Sequence, residues 1–248
     1  MPQSTLVPSK PETSALGAAF EALKTYDQGS SRGALLPIDE AVMASLNDKA
    51  AQNGLEKQLV TALERGGSAV AREYLCSKLT LIGSEFCVTA LAALLTTPEY
   101  ATAARNALEA IPSRPATKAL RDSLPKVDGL QKVGVINSLG ARRDAESVRA
   151  LTSLLKNADP AIAGAAAAAL GDVGTDPAAN ALREFLPKSP EGLRLKVADA
   201  TLTCAERLLT DGKRAEAEAL YRMLASATQP KQVQSAAARG LERASGKP

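Results

Sequence analysis

The chain has no histidine and no tryptophan, and aromatic residues make up only 3% of its 248 positions. Without histidine there is no Ser–His or Cys–His catalysis, no His-ligated zinc or haem, and no His-based pH switch. Without tryptophan the strongest platform for stacking bases or sugar rings is missing. The three cysteines, Cys76, Cys87 and Cys204, form no CxxC pair, and an odd number makes a poor disulfide framework. They read as small core hydrophobes that form no bridge with one another, which speaks against a zinc or iron–sulfur site. No apolar run approaches the ~18–20 residues of a membrane span. Met1–Lys10 lacks the basic and apolar regions of a leader. It reads as a polar tail or as a stretch left after a leader is removed, which leaves cytoplasmic, periplasmic and secreted locations all open.

Alanine, by contrast, is abundant: 48 residues, with hydrophobic side chains at 45% overall. Such a composition favours helices packed closely enough to do without large aromatic plugs. Charge is nearly balanced, 30 Lys and Arg against 27 Asp and Glu. Residues 101–150 hold nine basic and five acidic side chains, a local excess that is the only support for a weak nucleic-acid or polyanion binder. A dedicated nucleic-acid protein would carry a larger basic footprint.

The organising signal is a repeat. Leu91, Leu120, Leu151 and Leu182 follow at 29, 31 and 31 residues, as do Leu95, Leu124, Leu155 and Leu186; Leu59 and Leu63 lie one unit earlier. A spacing of four puts each pair on one helix face. A second helix precedes each pair and ends at Ile82-Gly83, Ile111-Pro112, Leu139-Gly140 or Val173-Gly174, where Gly caps a helix and Pro stops one. Each unit is thus a helix A, a tight turn and a helix B. The pattern predicts helices over 14–26, 37–47, 54–65, 68–82, 84–95, 98–111, 113–124, 128–139, 144–156, 160–173, 175–186, 190–211, 213–227 and 230–245. The expected architecture is an all-α solenoid without sheet: a tail at 1–13, then a single array over 14–246. That array has N-terminal capping helices at 14–65, regular repeats at 68–186 and C-terminal capping helices at 190–246.

Asp159-Pro160, Ala165–Leu170, Gly171, Val173-Gly174 and Pro177–Leu182 resemble HEAT repeats, in particular the short bacterial kind of phycobilisome-lyase-like proteins. The resemblance implies a right-handed superhelix with B helices on its concave side, and little about function. Tyr26–Val42 and Gly134–Val148 are similar to HEAT segments of large secreted or envelope-associated bacterial proteins that carry a sugar-active module, which would make this chain an accessory segment.

Two constellations stand out. Aligning the A helices on their turns places Cys76, Arg105, Val133 and Ala167 in one column and Thr80, Glu109, Asn137 and Gly171 in another. This is either a polar binding groove or an inter-repeat hydrogen-bond ladder. The turn Gly140–Asp144 is three residues longer than its equivalents, and insertions in solenoids often lie on a functional rim. Arg142 and Arg143 suit bidentate capture of a carboxylate or phosphate, while Asp144 suits a helix cap or a pairing with either Arg. Arg142, Arg143, Arg105 and Asn137 are therefore the candidate binding residues, and removing both turn arginines is expected to spare the fold. No catalytic residue, metal or cofactor is expected. The repeated His-Glu pairs of di-iron HEAT-type hydroxylases are absent, and so is the aromatic part of the glycosylase groove. The expected function is a non-catalytic scaffold for a protein partner or adjoining domain, monomeric by preference. The alternatives are an accessory module of a sugar-active or bilin-lyase-like enzyme, and a polyanion binder.

Overall fold

The computed structural model describes residues 14–226 and 229–246. The tail expected at 1–13 lies outside the described residues. The described chain is helical throughout, with no strand. The first three helices are α1 (Ala15–Ala22), α2 (Leu36–Ser45) and α3 (Lys49–Arg65). There follow α4 (Ala69–Ile82), α5 (Val88–Leu94), α6 (Pro98–Ala110), α7 (Arg114–Ser123), α8 (Gly129–Ala141) and α9 (Val148–Leu154). Then come α10 (Pro160–Val173), α11 (Asp176–Phe185), α12 (Glu191–Thr210), α13 (Arg214–Leu224) and α14 (Lys231–Ala244).

The starts are set by local chemistry. Ser14, Asp48, Ser68, Ser113 and Asp159 each accept a backbone N–H of the first turn, satisfying donors that a helix leaves orphaned. Pro98 and Pro160 occupy first positions where no donor is needed. Four expected boundaries move. The helix expected from residue 54 begins at Lys49, because Asp48 caps it with bonds to Ala50 and Ala51. The helix expected at 14–26 ends at Ala22. The helices expected at 84–95 and 144–156 open as short 3₁₀ turns, Glu85–Cys87 and Ala145–Ser147, before α5 and α9 begin.

The odd-numbered helices α5, α7, α9, α11 and α13 are the B helices, and α4, α6, α8, α10 and α12 the A helices. All eight leucines of the register are buried, none more than 5% exposed. The first of each pair lies inside its B helix and the second at the helix C-cap, where it closes the layer over the next A helix. Buried apolar side chains from Ala19 to Ala244 form one packed cluster.

At the N-terminal end a polar knot joins α2 to α4. Lys78 Nζ lies 2.6 Å from Asp39 and over the Tyr74 ring, and the Tyr74 hydroxyl donates to Asp39 at 2.9 Å. Burial pushes the Asp39 carboxyl up, but the bonds from Lys78 and Tyr74 outweigh it and hold the group below its ordinary value.

The A helices α8, α10 and α12 are in backbone contact. A methyl group at Gly171 of α10 would stand 2.5 Å from the Ala200 carbonyl oxygen of α12, and one at Gly140 of α8 would stand 2.8 Å from Ala169 Cα of α10. Backbone cannot swing aside as a side chain can. Gly171→Val is therefore expected to force α10 and α12 apart and to cost about 1–3 kcal/mol, read as a lowered midpoint in urea. A midpoint equal to the parent's would contradict this close approach.

Cys76, Cys87 and Cys204 are buried free thiols, as expected of small core residues. Burial pushes each up to about 12, so little thiolate exists near neutrality. The native chain is expected to leave a disulfide reagent such as DTNB unreacted for minutes at pH 8, and to react at all three positions once unfolded. Rapid labelling without denaturant would contradict this packing.

Candidate functional site

The A–B turns of successive repeats lie side by side, and charged side chains reach from one to the next. Glu56 of α3 accepts from both the backbone N–H and the hydroxyl of Ser84, at 2.6 and 2.7 Å. Lys213, after α12, bridges both oxygens of Asp176 at 2.9 Å. Arg143 passes Gly174 and donates to Asp211 at 2.5 Å.

The Gly140–Asp144 insertion is used in the same way. Helix α8 does not stop at Gly140 but continues to Ala141, and Gly140 is small because Ala169 abuts it. The turn then closes as a Schellman motif: Arg143 N–H donates to Gly140 O and Asp144 N–H to Leu139 O, with Arg143 in the left-handed region at φ 51°. This geometry throws the Arg142 side chain backwards. Its guanidinium donates to Thr117 Oγ1 and to the carbonyls of Leu108, Glu109, Ile111 and Ser113, at 2.6–3.1 Å. The Leu108 and Glu109 carbonyls are ones that the end of α6 leaves without a backbone donor, while those of Ile111 and Ser113 also accept the N–H groups of Ser113 and Thr117. Arg142 is thus occupied by its own chain, and the expectation that it could be removed at no cost to the fold gives way. Burial pushes its guanidinium below its ordinary value, opposed by the carboxylates of Glu109 and Asp144.

Arg105 and Glu109 take part in an inter-repeat ladder, and Arg105 also borders an open cavity of about 440 Å³ with Thr102, Asp128 and Gln131. Arg105 lies across Gly134 and donates to Ser138 Oγ at 2.8 Å, and Ser138 in turn donates to Glu109 at 2.6 Å. The partner on α8 is the buried Ser138; Asn137, one position earlier, points to solvent. Asp144 pairs with neither turn arginine. Its buried Oδ2 lies 3.3 Å from Arg121 Nε, not aligned as a hydrogen bond, and burial raises its carboxyl despite the Arg121 charge.

The basic excess of residues 101–150 gathers elsewhere. Between α5 and α7 an open groove of about 550 Å³ has a floor of Val88, Ala92 and Ala119. Arg114, Lys118, Arg121 and Lys126 stand on its walls with two carboxylates, Asp122 and Glu146. The B helices are short, and an open space is left between α5 and α7 here. The signal in the sequence is the i, i+4, i+7 spacing of Arg114, Lys118 and Arg121, which puts three cations on one face of α7. Among the described residues no group of His, Cys, Asp and Glu is arranged to hold a metal ion, and no helix is long and apolar enough to cross a membrane.

Residues 118–203 match the family model of HEAT repeats, so the resemblance read from Asp159–Leu182 holds over that stretch. No curated protein matches the chain in sequence. Among solved structures, the chain is similar to an engineered protein at 19% identity and a TM-score of 0.45, over 84% of this chain and 96% of that one. It is similar also to the complex of CpcE and CpcF of phycocyanin lyase from Nostoc sp. PCC7120, at 18% identity and a TM-score of 0.46, over 98% and 100% of the two chains.

Proposed function

We propose that this HEAT-type helical array is a non-catalytic scaffold that holds a protein partner, or an adjoining domain, on the side formed by the B helices. The observation that carries the reading is the open groove between α5 and α7, walled by cations and floored by small apolar groups. A shallow trough of mixed character suits an extended stretch of another chain better than it suits an enclosed small substrate.

The chemistry of the remaining groups supports a binding role. The three thiols are buried and protonated. The hydroxyls of Tyr74 and Tyr221 donate to Asp39 and Glu206, and burial pushes both phenols upward. Each of these groups is tied into packing, and none forms a pair of nucleophile and base aimed into a cleft.

A photo-crosslinking side chain at Thr89, in the groove, and another at Asn137, on α8, test the reading in the source cell. A discrete partner joined at Thr89 and not at Asn137 is the expected result. Crosslinks confined to Asn137 would move the binding side to the A helices. Crosslinks at neither would remove the scaffold reading.

A further inference from the structure

We propose that the occupant of the α5–α7 groove is an acidic peptide segment with interspersed apolar residues; the proposal rests on the scaffold reading above. The argument is one of charge left over. Lys118 spends its charge on Asp122 at 2.5 Å, and Arg121 spends its charge on Glu146 in front and the buried Asp144 behind. Arg114 and Lys126 stand exposed on the groove wall, with no carboxylate paired to either among the described residues. Two cations therefore flank a trough whose floor is methyl groups, and their complement is a chain carrying carboxylates and small apolar side chains.

Glu146 shows how such a carboxylate sits. It lies on Arg121 yet is 80% exposed, on the short turn that leads into α9. An exposed pair is held weakly, so an incoming carboxylate displaces Glu146 at little cost, while Asp144 keeps Arg121 in place from behind. The groove thus holds a carboxylate of its own where a partner's would bind. Nucleic acid fits less well: no aromatic side chain faces the trough for bases to stack on, and Asp122 and Glu146 repel a phosphate backbone.

The test is fluorescence anisotropy on the full chain at about 50 mM salt, the regime in which exposed charges are least screened. Three labelled probes are compared: a decapeptide alternating glutamate and leucine, the same peptide with glutamine for glutamate, and a single-stranded DNA of mixed sequence. The glutamate peptide is expected to bind at least tenfold more tightly than the other two. Arg114→Glu with Lys126→Glu should weaken it tenfold or more with an unchanged melting point. Arg149→Glu, an exposed cation outside the groove, should change it less than twofold, and Glu146→Gln should strengthen it about threefold by freeing Arg121. Equal losses from Arg149→Glu and from the double reversal would reduce the effect to general attraction and overturn the proposal. So would equal binding of the glutamine peptide, tighter binding of the DNA, or no binding of the glutamate peptide. If the peptide fails while Thr89 still crosslinks to a discrete partner, only the acidic assignment falls. If Thr89 crosslinks to nothing as well, both fall.

Discussion

Arg142→Ala is expected to lower the free energy of unfolding by about 2–4 kcal/mol, since hydrogen bonds from a charged group are worth ~1.5–3 kcal/mol and the carbonyls they serve are half-buried. The guanidinium serves four carbonyls and a hydroxyl belonging to the preceding repeat. Removing it leaves the Leu108 and Glu109 carbonyls at the end of α6 without that donor. Arg142→Lys should recover only part of the loss, because one ammonium cannot span acceptors arranged around a planar fork. Arg143→Ala is the control. Its pair with Asp211 is partly exposed, at 36% and 40% for the two side chains, and surface pairs contribute about 1 kcal/mol or less. Urea unfolding of the three variants checks this. Stability unchanged in Arg142→Ala would return that residue to the surface as a binding candidate.

Leu151→Ala is expected to cost about 2–5 kcal/mol, the range for a buried leucine that leaves a cavity. Leu151 is fully buried in α9, the middle of the array. In a stacked array a defect at the centre weakens the coupling between its neighbours as well as its own repeat. The unfolding transition is therefore expected to broaden as well as shift. Leu130→Ala, at a position 86% exposed, should stay within about 0.5 kcal/mol of the parent. Similar costs at both positions would mean that the leucine register is misplaced.

The leucine spacing carries the fold because burial repeats with the unit. Every unit needs the same two leucines in the same places, so coincidence across units is informative. The A–B turns are less legible for a physical reason. Gly140 looks like a helix stop, as Gly83 and Gly174 do, but its smallness answers to Ala169 on another helix rather than to the local backbone. The extra residues after it look like a rim for a ligand. Their role is to turn Arg142 back onto carbonyls about 30 residues earlier in the chain, and no local pattern announces so distant a contact. The ladder at Arg105 and Glu109 was legible as a column, but off by one residue, Ser138 taking the place of Asn137. The groove cations lay within the basic stretch already visible. Which of them remain unpaired depends on the reach of Arg121 to Asp144 and Glu146 across the next turn.

The contacts of Gly140 with Ala169 and of Gly171 with Ala200 also fix how the array responds to force. Backbone pressed against backbone cannot be shortened, because protein interiors are nearly incompressible. From α8 to α12 the A layer is therefore expected to keep its length, and bending there to be taken up in the B layer, between α9, α11 and α13. The α5–α7 groove lies outside that stretch, beside α4 and α6, which meet through side chains such as Arg72 over the Tyr100 ring. A segment seated in that groove is expected to meet a more yielding part of the array than one seated beyond α8.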